Sequence, residues 1–515
     1  MVLKYFLFCL LGCLIVSSSG LSSALAASDT LSNELVAKIE KFKTKHSKRK
    51  NKIEVAVNIL DAQTGIDVFR YNADKIMIPA SITKIMTTYG VLKLLGTNYR
   101  FLTEVFAEQT VRDSAKFEET LGKVGNLYIR GYGDPSLVNE TLWEWTNSLK
   151  DLGIKEVNNI IIDDSLFLSP RRALGWESYN AGLSATSLNF NSYTFKIIPT
   201  TNGQGALVSA TPGVPLHLEN AINTALKNNV TMKYLPFTHN TASINGRTQL
   251  QTVGKVVLKG SIKEGGAPFT GFRAFPDDPA NYYGHAFAHF LKLNGIKIAG
   301  DIYKGKVPNS AKKIIDFKSK ILAEIISDLN KFSNNFIASQ LVYAIGQDDD
   351  GYFRFDLGLK RLASVLQTIG IQPSAYMITD GSGLDVNNRL TAEQVAQVLF
   401  VAGKDMSISP TFINSLTKFG KSGGTLSKRS VFFKKKAAKK LSALEVAEED
   451  LRQAEESVWA KTGTLTGTSS LAGYLSDIND RRFIFTIIIN GPVSKAEAGA
   501  LEEEILRSII AGTKI

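Results

Sequence analysis

Apolar positions alternate at both ends of the chain and recur at helical spacing between them. Ile53 to Asp61 alternates and is rich in β-branched residues, Gln63-Thr64-Gly65 supplies a turn, and Asp67 to Tyr71 resumes the alternation. That pattern predicts a β-hairpin. A helix of about three turns is predicted after Pro79. Past Gly96 the texture changes to short strands and turns. Asn126 to Leu137 reads as a strand ending in a Gly/Asp/Pro turn, Thr141 to Leu152 as an amphipathic helix, and Asn159 to Asp163 as a buried strand. Residues 186 to 275 are rich in Asn, Thr, Val and Gly and predict a small β-rich unit. Asn281 to Asn294 is helical in pattern and turns into a strand through residues 295 to 300. Helical texture resumes at 320 to 345, 353 to 369 and 391 to 403. Lys434 to Ser457 is charged and alanine-rich, basic first and acidic later. That order opposes a helix dipole, so an exposed helical insertion is expected there. The tail predicts strands at Ser457 to Leu465, Ser470 to Leu475 and Arg482 to Ile489, then a helix from Lys495 to Ile510. A hairpin and helix at the start, with three strands and a helix at the end, make one α/β domain with a large insertion.

Length and charge narrow the setting. The 515 residues suffice for two or three domains, and 60 basic against 48 acidic residues give a formal charge of +12. Such a balance suits a polyanionic neighbour. Met1 to Lys4 is a short basic start, Tyr5 to Val16 an apolar run, and Ala24-Leu25-Ala26 a small-x-small cleavage site. The expectation is a secretory signal peptide over residues 1–26 and a periplasmic, exported protein. Export points away from nucleic acid and towards the envelope. Residues 28 to 52 form a helix-like lead with a basic run, Lys41 to Lys50, suited to peripheral contact with an anionic membrane or wall surface. Both cysteines, Cys9 and Cys13, fall inside the leader. The mature chain therefore has no disulfide, thiolate metal site or cysteine nucleophile. The apolar run continues past Cys13, which argues against lipid attachment there.

Three short motifs carry chemistry. Ser81-Ile82-Thr83-Lys84 puts a serine and a lysine on one face of the predicted helix. A serine hydroxyl needs a base within reach, and a lysine one turn away serves if burial keeps its amine neutral. Ser-x-x-Lys also begins at Ser47, Ser310 and Ser415, so spacing alone does not choose among the four. Lys461-Thr462-Gly463-Thr464 lies on a predicted strand. The glycine allows close approach of a ligand backbone, while the lysine and threonine suit a substrate carboxylate. Ser333-Asn334-Asn335 stands at the start of a helix running from Phe336 to Ala344. Ser-x-Asn recurs elsewhere, and its value here is its place between the other two.

Taken in this order on an exported chain, the motifs match the penicillin-binding set Ser-x-x-Lys, Ser-x-Asn, Lys-Thr-Gly. The chain resembles the class C low-molecular-mass penicillin-binding proteins, the D-alanyl-D-alanine carboxypeptidase/endopeptidase family. The long gap between Lys84 and Ser333 fits that family's two added domains. Gly131 to Pro135, Ile161 to Ser165, Asp380 to Leu384 and Gly424 to Leu426 are further family-like stretches. The resemblance implies an α/β (α+β) serine penicillin-binding, β-lactamase-like transpeptidase domain with two smaller β-rich domains inserted after the Ser-x-x-Lys helix. The expected divisions are 27–97 plus 280–515 for the catalytic domain, 98–190 and 191–279 for the inserted domains, and 434–457 for the charged insertion. It implies a serine-type D-Ala-D-Ala carboxypeptidase acting on peptidoglycan stem peptides, with β-lactam antibiotics as covalent inhibitors and no cofactor. Ser81 is implied as nucleophile, Lys84 as its base and Ser333 as proton relay. Asn335, Lys461, Thr462, Gly463 and Thr464 are implied to bind substrate.

Other readings stand beside this one. His285 and His289 have zinc-ligand spacing on a helix, but Ala286 occupies the position of a metalloprotease glutamate and no third ligand is evident. No metal is expected. A silent wall-binding homologue would keep the fold without turnover, and a β-lactamase would share the motifs but not the inserted domains. Many relatives continue Ser-Arg after the Asp380-to-Leu384 stretch; here Asp385-Val386 follows, so an arginine for reading an acidic stem-peptide side chain is missing at Val386. The family's pocket for the diamino-acid residue is not placed around Trp176 to Asn180.

Overall fold

The computed structural model describes residues 30–46, 52–108, 122–170, 181–236, 243–244, 246–252, 254–274, 276, 278–420, 423–430 and 448–512. The expected leader with Cys9 and Cys13, Ser47 to Lys50, Trp176 to Asn180 and residues 434–447 lie outside the described residues. The chain divides into two compact units. One takes in residues 1–97, 326–334 and 361–515, the other 98–325 and 335–360.

In the first unit, the described residues form a six-stranded antiparallel sheet. Its order is Thr417–Lys418, Trp459–Leu465, Thr468–Ser476, Arg482–Asn490, Glu54–Asp61 and Asp67–Tyr71. The start and end of the chain meet at its centre, where Val57 lies opposite Ile487. Arg482–Asn490 is an almost unbroken apolar run because both of its faces are covered. Val55, Val57, Ile59, Phe485, Ile487 and Ile489 pack on one side with Leu35 and Ile39 of the helix at 30–45 and with Leu501, Ile505 and Ile509 of helix Lys495–Ala511. Ser494 and Glu497 cap the latter reciprocally, which satisfies two amides of its first turn. Helix Ala392–Lys404 lies against strands Arg482–Asn490 and Glu54–Asp61. The charged segment behaves differently from expectation at its end: Glu448–Glu456 is helical, but Leu451 and Ala454, three apart, are buried in the core. That apolar pair outweighs the unfavourable charge order.

The second unit holds a mixed sheet. Lys123–Gly131 and Glu156–Asp163 run parallel, joined through helix Asn139–Asp151, and Leu102–Glu108 and Lys312–Lys318 extend the sheet antiparallel. Ile302–Lys304 and Arg247–Gln249 lie on the other side. The expected catalytic domain included residues 280–325 and 335–360, yet both group with this unit. Helix Pro279–Leu293 buries Tyr282, Phe287 and Leu291 in a core with Ile160, Ile162 and Leu142. Two further sheets, of three strands each among the described residues, occupy the predicted β-rich stretch. One is Leu216–Ala225, Gly254–Lys263 and Asn229–Pro236; the other is Phe269–Ala274, Tyr193–Ile198 and Leu207–Ala210.

Candidate active site

Ser81 lies in a single 3-10 turn, Ala80–Ile82, that runs into helix Thr83–Leu95. Ala80 has φ 51°, a costly backbone for a residue with a Cβ, so the surroundings must hold it. Two contacts do so. Thr83 Oγ1 donates to the Ala80 carbonyl at 2.9 Å, and Ser470 Oγ donates to the Pro79 carbonyl at 2.6 Å.

Lys84 is fully buried, and its Nζ lies 3.0 Å from Ser81 Oγ. The amine donates to the Ser382 carbonyl at 2.6 Å. Burial pulls the Lys84 amine down to about 7, against the pull of nearby Asp380. That is the state a general base needs near neutrality. Of the other Ser-x-x-Lys pairs, Ser47 lies outside the described residues. Ser310 donates to Glu108 while Lys313 is exposed. Ser415 donates to the Phe412 carbonyl while Lys418 lies over the Trp459 ring. Among the described pairs, Ser81 alone has its hydroxyl on a fully buried lysine.

The Asp380 loop that receives Lys84 is built around one buried carboxylate. Asp380 accepts from Ser382 N and Oγ, Gly383 N, Asp385 N and Asn388 Nδ2 at 2.7–3.2 Å. Gly383 has φ +78°, and a Cβ there would meet the Ala80 carbonyl at 2.0 Å. Only glycine lets the loop close on the serine turn. Thr87 Oγ1 ties the helix to the Gly381 carbonyl at 2.7 Å.

Lys461 is also fully buried, on strand Trp459–Leu465. Its Nζ donates to Ser333 Oγ at 2.8 Å and to the Thr462 carbonyl at 2.7 Å. Burial, and then the charge of Lys84, push its amine well below the usual lysine range. Two buried ammonium groups oppose each other, so an arriving anion favours the charge on Lys461. Ser333 has φ 55°, left-handed backbone that turns its hydroxyl onto this lysine. Thr462 Oγ1 donates to Thr425 Oγ1 at 2.9 Å. Thr464 is exposed. A Cβ on Gly463 would sit 2.2 Å from Ser470 Oγ and 2.9 Å from both Ser81 N and the Pro79 carbonyl. The missing side chain therefore sets the strand directly on the serine turn.

Ser81, Lys84, Ser333, Lys461, Thr462 and Gly463 are thus linked within the first unit. Asn335 belongs to the second unit, where it is the first residue of helix Asn335–Ala344. His285 and His289 lie on helix Pro279–Leu293, and among the described residues no group of three His, Cys, Asp or Glu is placed to hold a metal ion. Three contributors were missed as site residues. The Ser382 carbonyl and Thr425 fall in stretches singled out only as family-like. Buried Asn330 donates to Thr88 Oγ1 at 3.1 Å and Ser415 Oγ at 2.9 Å, and so ties the serine helix to the segment leading into Ser333. No local pattern marks it.

The family model for the D-Ala-D-Ala carboxypeptidase 3 (S13) family matches residues 35–508. A D-alanyl-D-alanine carboxypeptidase from Actinomadura sp. is 30% identical over 458 residues, covering 84% of this chain and 77% of that protein. Penicillin binding protein 4 (dacB) from Haemophilus influenzae superposes with a TM-score of 0.68 at 20% identity, over 89% of this chain and 96% of its own. The same protein complexed with a novel β-lactam superposes with a TM-score of 0.68, also at 20% identity, over 91% of this chain and 99% of its own.

Proposed function

The chain belongs to the D-Ala-D-Ala carboxypeptidase 3 (S13) family, and we propose that the Ser81–Lys84 pair performs its reaction, with Ser333 and Lys461 beside it. The protein is a serine DD-peptidase of the penicillin-binding fold. It hydrolyses the bond between the two D-alanines that end a peptidoglycan stem peptide, and β-lactams are its covalent inhibitors.

The observation that carries the assignment is a lysine with no exposed surface whose Nζ stands 3.0 Å from a serine hydroxyl. In the neutral state Lys84 takes the hydroxyl proton as Ser81 Oγ attacks the carbonyl carbon of the penultimate D-alanine. The backbone amides of Ser81 and Thr464 receive the developing oxyanion, worth about 3 kcal/mol per donor. The packing of Gly463 against Ser81 N supports that pairing. Collapse breaks the C–N bond. The proton returns through Ser333 to the amine of the departing D-alanine, leaving an ester on Ser81. Lys461 and Thr462, oriented by Thr425, hold the terminal carboxylate. Water, deprotonated by the same base, then cleaves the ester and restores Ser81. Penicillin opens its ring on Ser81 without expelling a leaving group, so its ester persists.

The expected leader over residues 1–26 and the substrate together support an exported, periplasmic protein, and the charge of +12 supports peripheral contact with an anionic surface. No helix of the described residues is long and apolar enough to cross a membrane.

Intact mass after exposure to penicillin tests the nucleophile. One covalent adduct on the parent and none on Ser81→Ala is expected; equal adducts on both sink the assignment. Steady D-alanine release from a pentapeptide separates this enzyme from a silent homologue. Penicillin turnover slower than that release separates it from a β-lactamase.

A further inference from the structure

We propose that the outer face of the sheet Leu216–Ala225, Gly254–Lys263 and Asn229–Pro236 docks on the headgroup plane of an anionic lipid bilayer. The inference rests on the envelope location proposed above and names the surface that makes the contact. Side chains alternate across this sheet. Val256, Leu258 and Ile262 of the central strand enter the core with Ile222, and partly buried Met232 and Tyr234 pack beside them. The alternate positions, Lys255, Lys259 and Lys263, therefore point outward in a row, about 13 Å apart. Lys233 stands on the neighbouring strand opposite Val257, and His217 on the other opposite Lys255. One carboxylate shares the face, Glu219, and it pairs with Lys255. Lys233, Lys259 and Lys263 make no ion pair with a described residue.

A solvated sheet face of the ordinary kind mixes both signs; this one is almost wholly basic. It is also flat. Pairing runs without a register break from Leu216 to Ala225 on one side and from Asn229 to Pro236 on the other. Such a face, about 30 Å by 10 Å, presents its lysines together to one headgroup layer. Apolar side chains accompany the charge. Leu226 is 74% exposed in the turn beside Lys227, and Leu235 on the outer face is 37% exposed. Basic groups around protruding leucines are what a headgroup layer accepts: the charges meet phosphate and the leucines enter the interface.

The test is co-sedimentation of the full chain with vesicles of phosphatidylcholine, with and without about one third phosphatidylglycerol. Partition onto the anionic vesicles, weakened by salt, is expected. Lys233→Glu with Lys259→Glu lowers it by at least about tenfold, Lys233→Gln with Lys259→Gln by less, and Leu226→Ser lowers what survives at high salt. Unchanged partition of the glutamate pair overturns the proposal. So does parent protein that binds long-chain polyphosphate but not the vesicles. Penicillin acylation of every variant at the parent rate verifies its fold, and its loss from the parent strikes the catalytic reading instead of this one.

Discussion

Lys84 Nζ stands 3.0 Å from Ser81 Oγ, and no part of the lysine reaches solvent. Burial thus both fits Lys84 for the proposed role of base and sets the pH at which its amine turns neutral. Its amine, drawn down to about 7, is mostly neutral above that pH and mostly charged below. The second-order rate of penicillin acylation is therefore expected to rise with pH through about 7 and then level. Lys84→Arg, permanently charged, loses about a hundredfold or more at every pH. A flat profile in the parent removes Lys84 as the base.

The same group links folding to pH. Its folded value is depressed from 10.5 to about 7, so between those limits the unfolded chain binds the extra proton. Stability conferred through this site then rises with pH across that window, by up to about 1.4 kcal/mol per pH unit, and is level below it. In urea titrations, the stability of the parent relative to Lys84→Met is expected to improve steadily above about pH 7. A constant difference would mean that Lys84 is already neutral in acid or charged in base.

Gly463→Ala places a carbon 2.2 Å from Ser470 Oγ and 2.9 Å from Ser81 N. The strand or the serine turn must shift. Acylation is expected to fall by about a hundredfold, the scale of losing one oxyanion donor. Circular dichroism should stay native. Ser470→Gly in the same chain opens room and should recover part of the rate; no recovery points to a role beyond sterics.

How far the sequence foretold this site depends on what each part is made of. The Ser81–Lys84 pair is local: four consecutive residues at the entry to one helix carry their own geometry. Lys461 was legible because Lys-Thr-Gly on a strand is a compact motif. The Ser382 carbonyl was not, since a backbone oxygen leaves no mark in side-chain identity and Lys84 reaches it across 298 positions. Asn330 looks like any helix residue until Thr88 and Ser415 close around it. The same limit set the domain edge. Residues 280 to 325 carry helix and strand signals that suit either unit, and only the packing of Tyr282 and Phe287 assigns them. The helix Glu448–Glu456 was read by its charges, while Leu451 and Ala454 decided its place.

Asn330→Ala leaves two buried hydroxyls without their donor and opens a small void. A loss of about 2–3 kcal/mol is expected by urea denaturation. Because Asn330 positions the segment before Ser333 and touches no substrate, pentapeptide kcat should fall with KM little changed. A rise in KM alone would make the residue a binding element and contradict this placement.

Thr462 Oγ1 donates to Thr425 Oγ1 at 2.9 Å. Thr425 N also donates to the Lys331 carbonyl at 3.1 Å, so the loop is fixed at both backbone and side chain. Thr425→Val keeps volume and removes the acceptor. Thr462 is then free to rotate away from the carboxylate it is proposed to bind. KM for a pentapeptide is expected to rise about fivefold, the worth of one hydrogen bond, with kcat within about twofold. A pentapeptide ending in an amide has no carboxylate to lose, so parent and variant should process it alike. If the variant handles both substrates equally worse, Thr425 supports the strand in general, and the carboxylate must be read by Lys461 without Thr462.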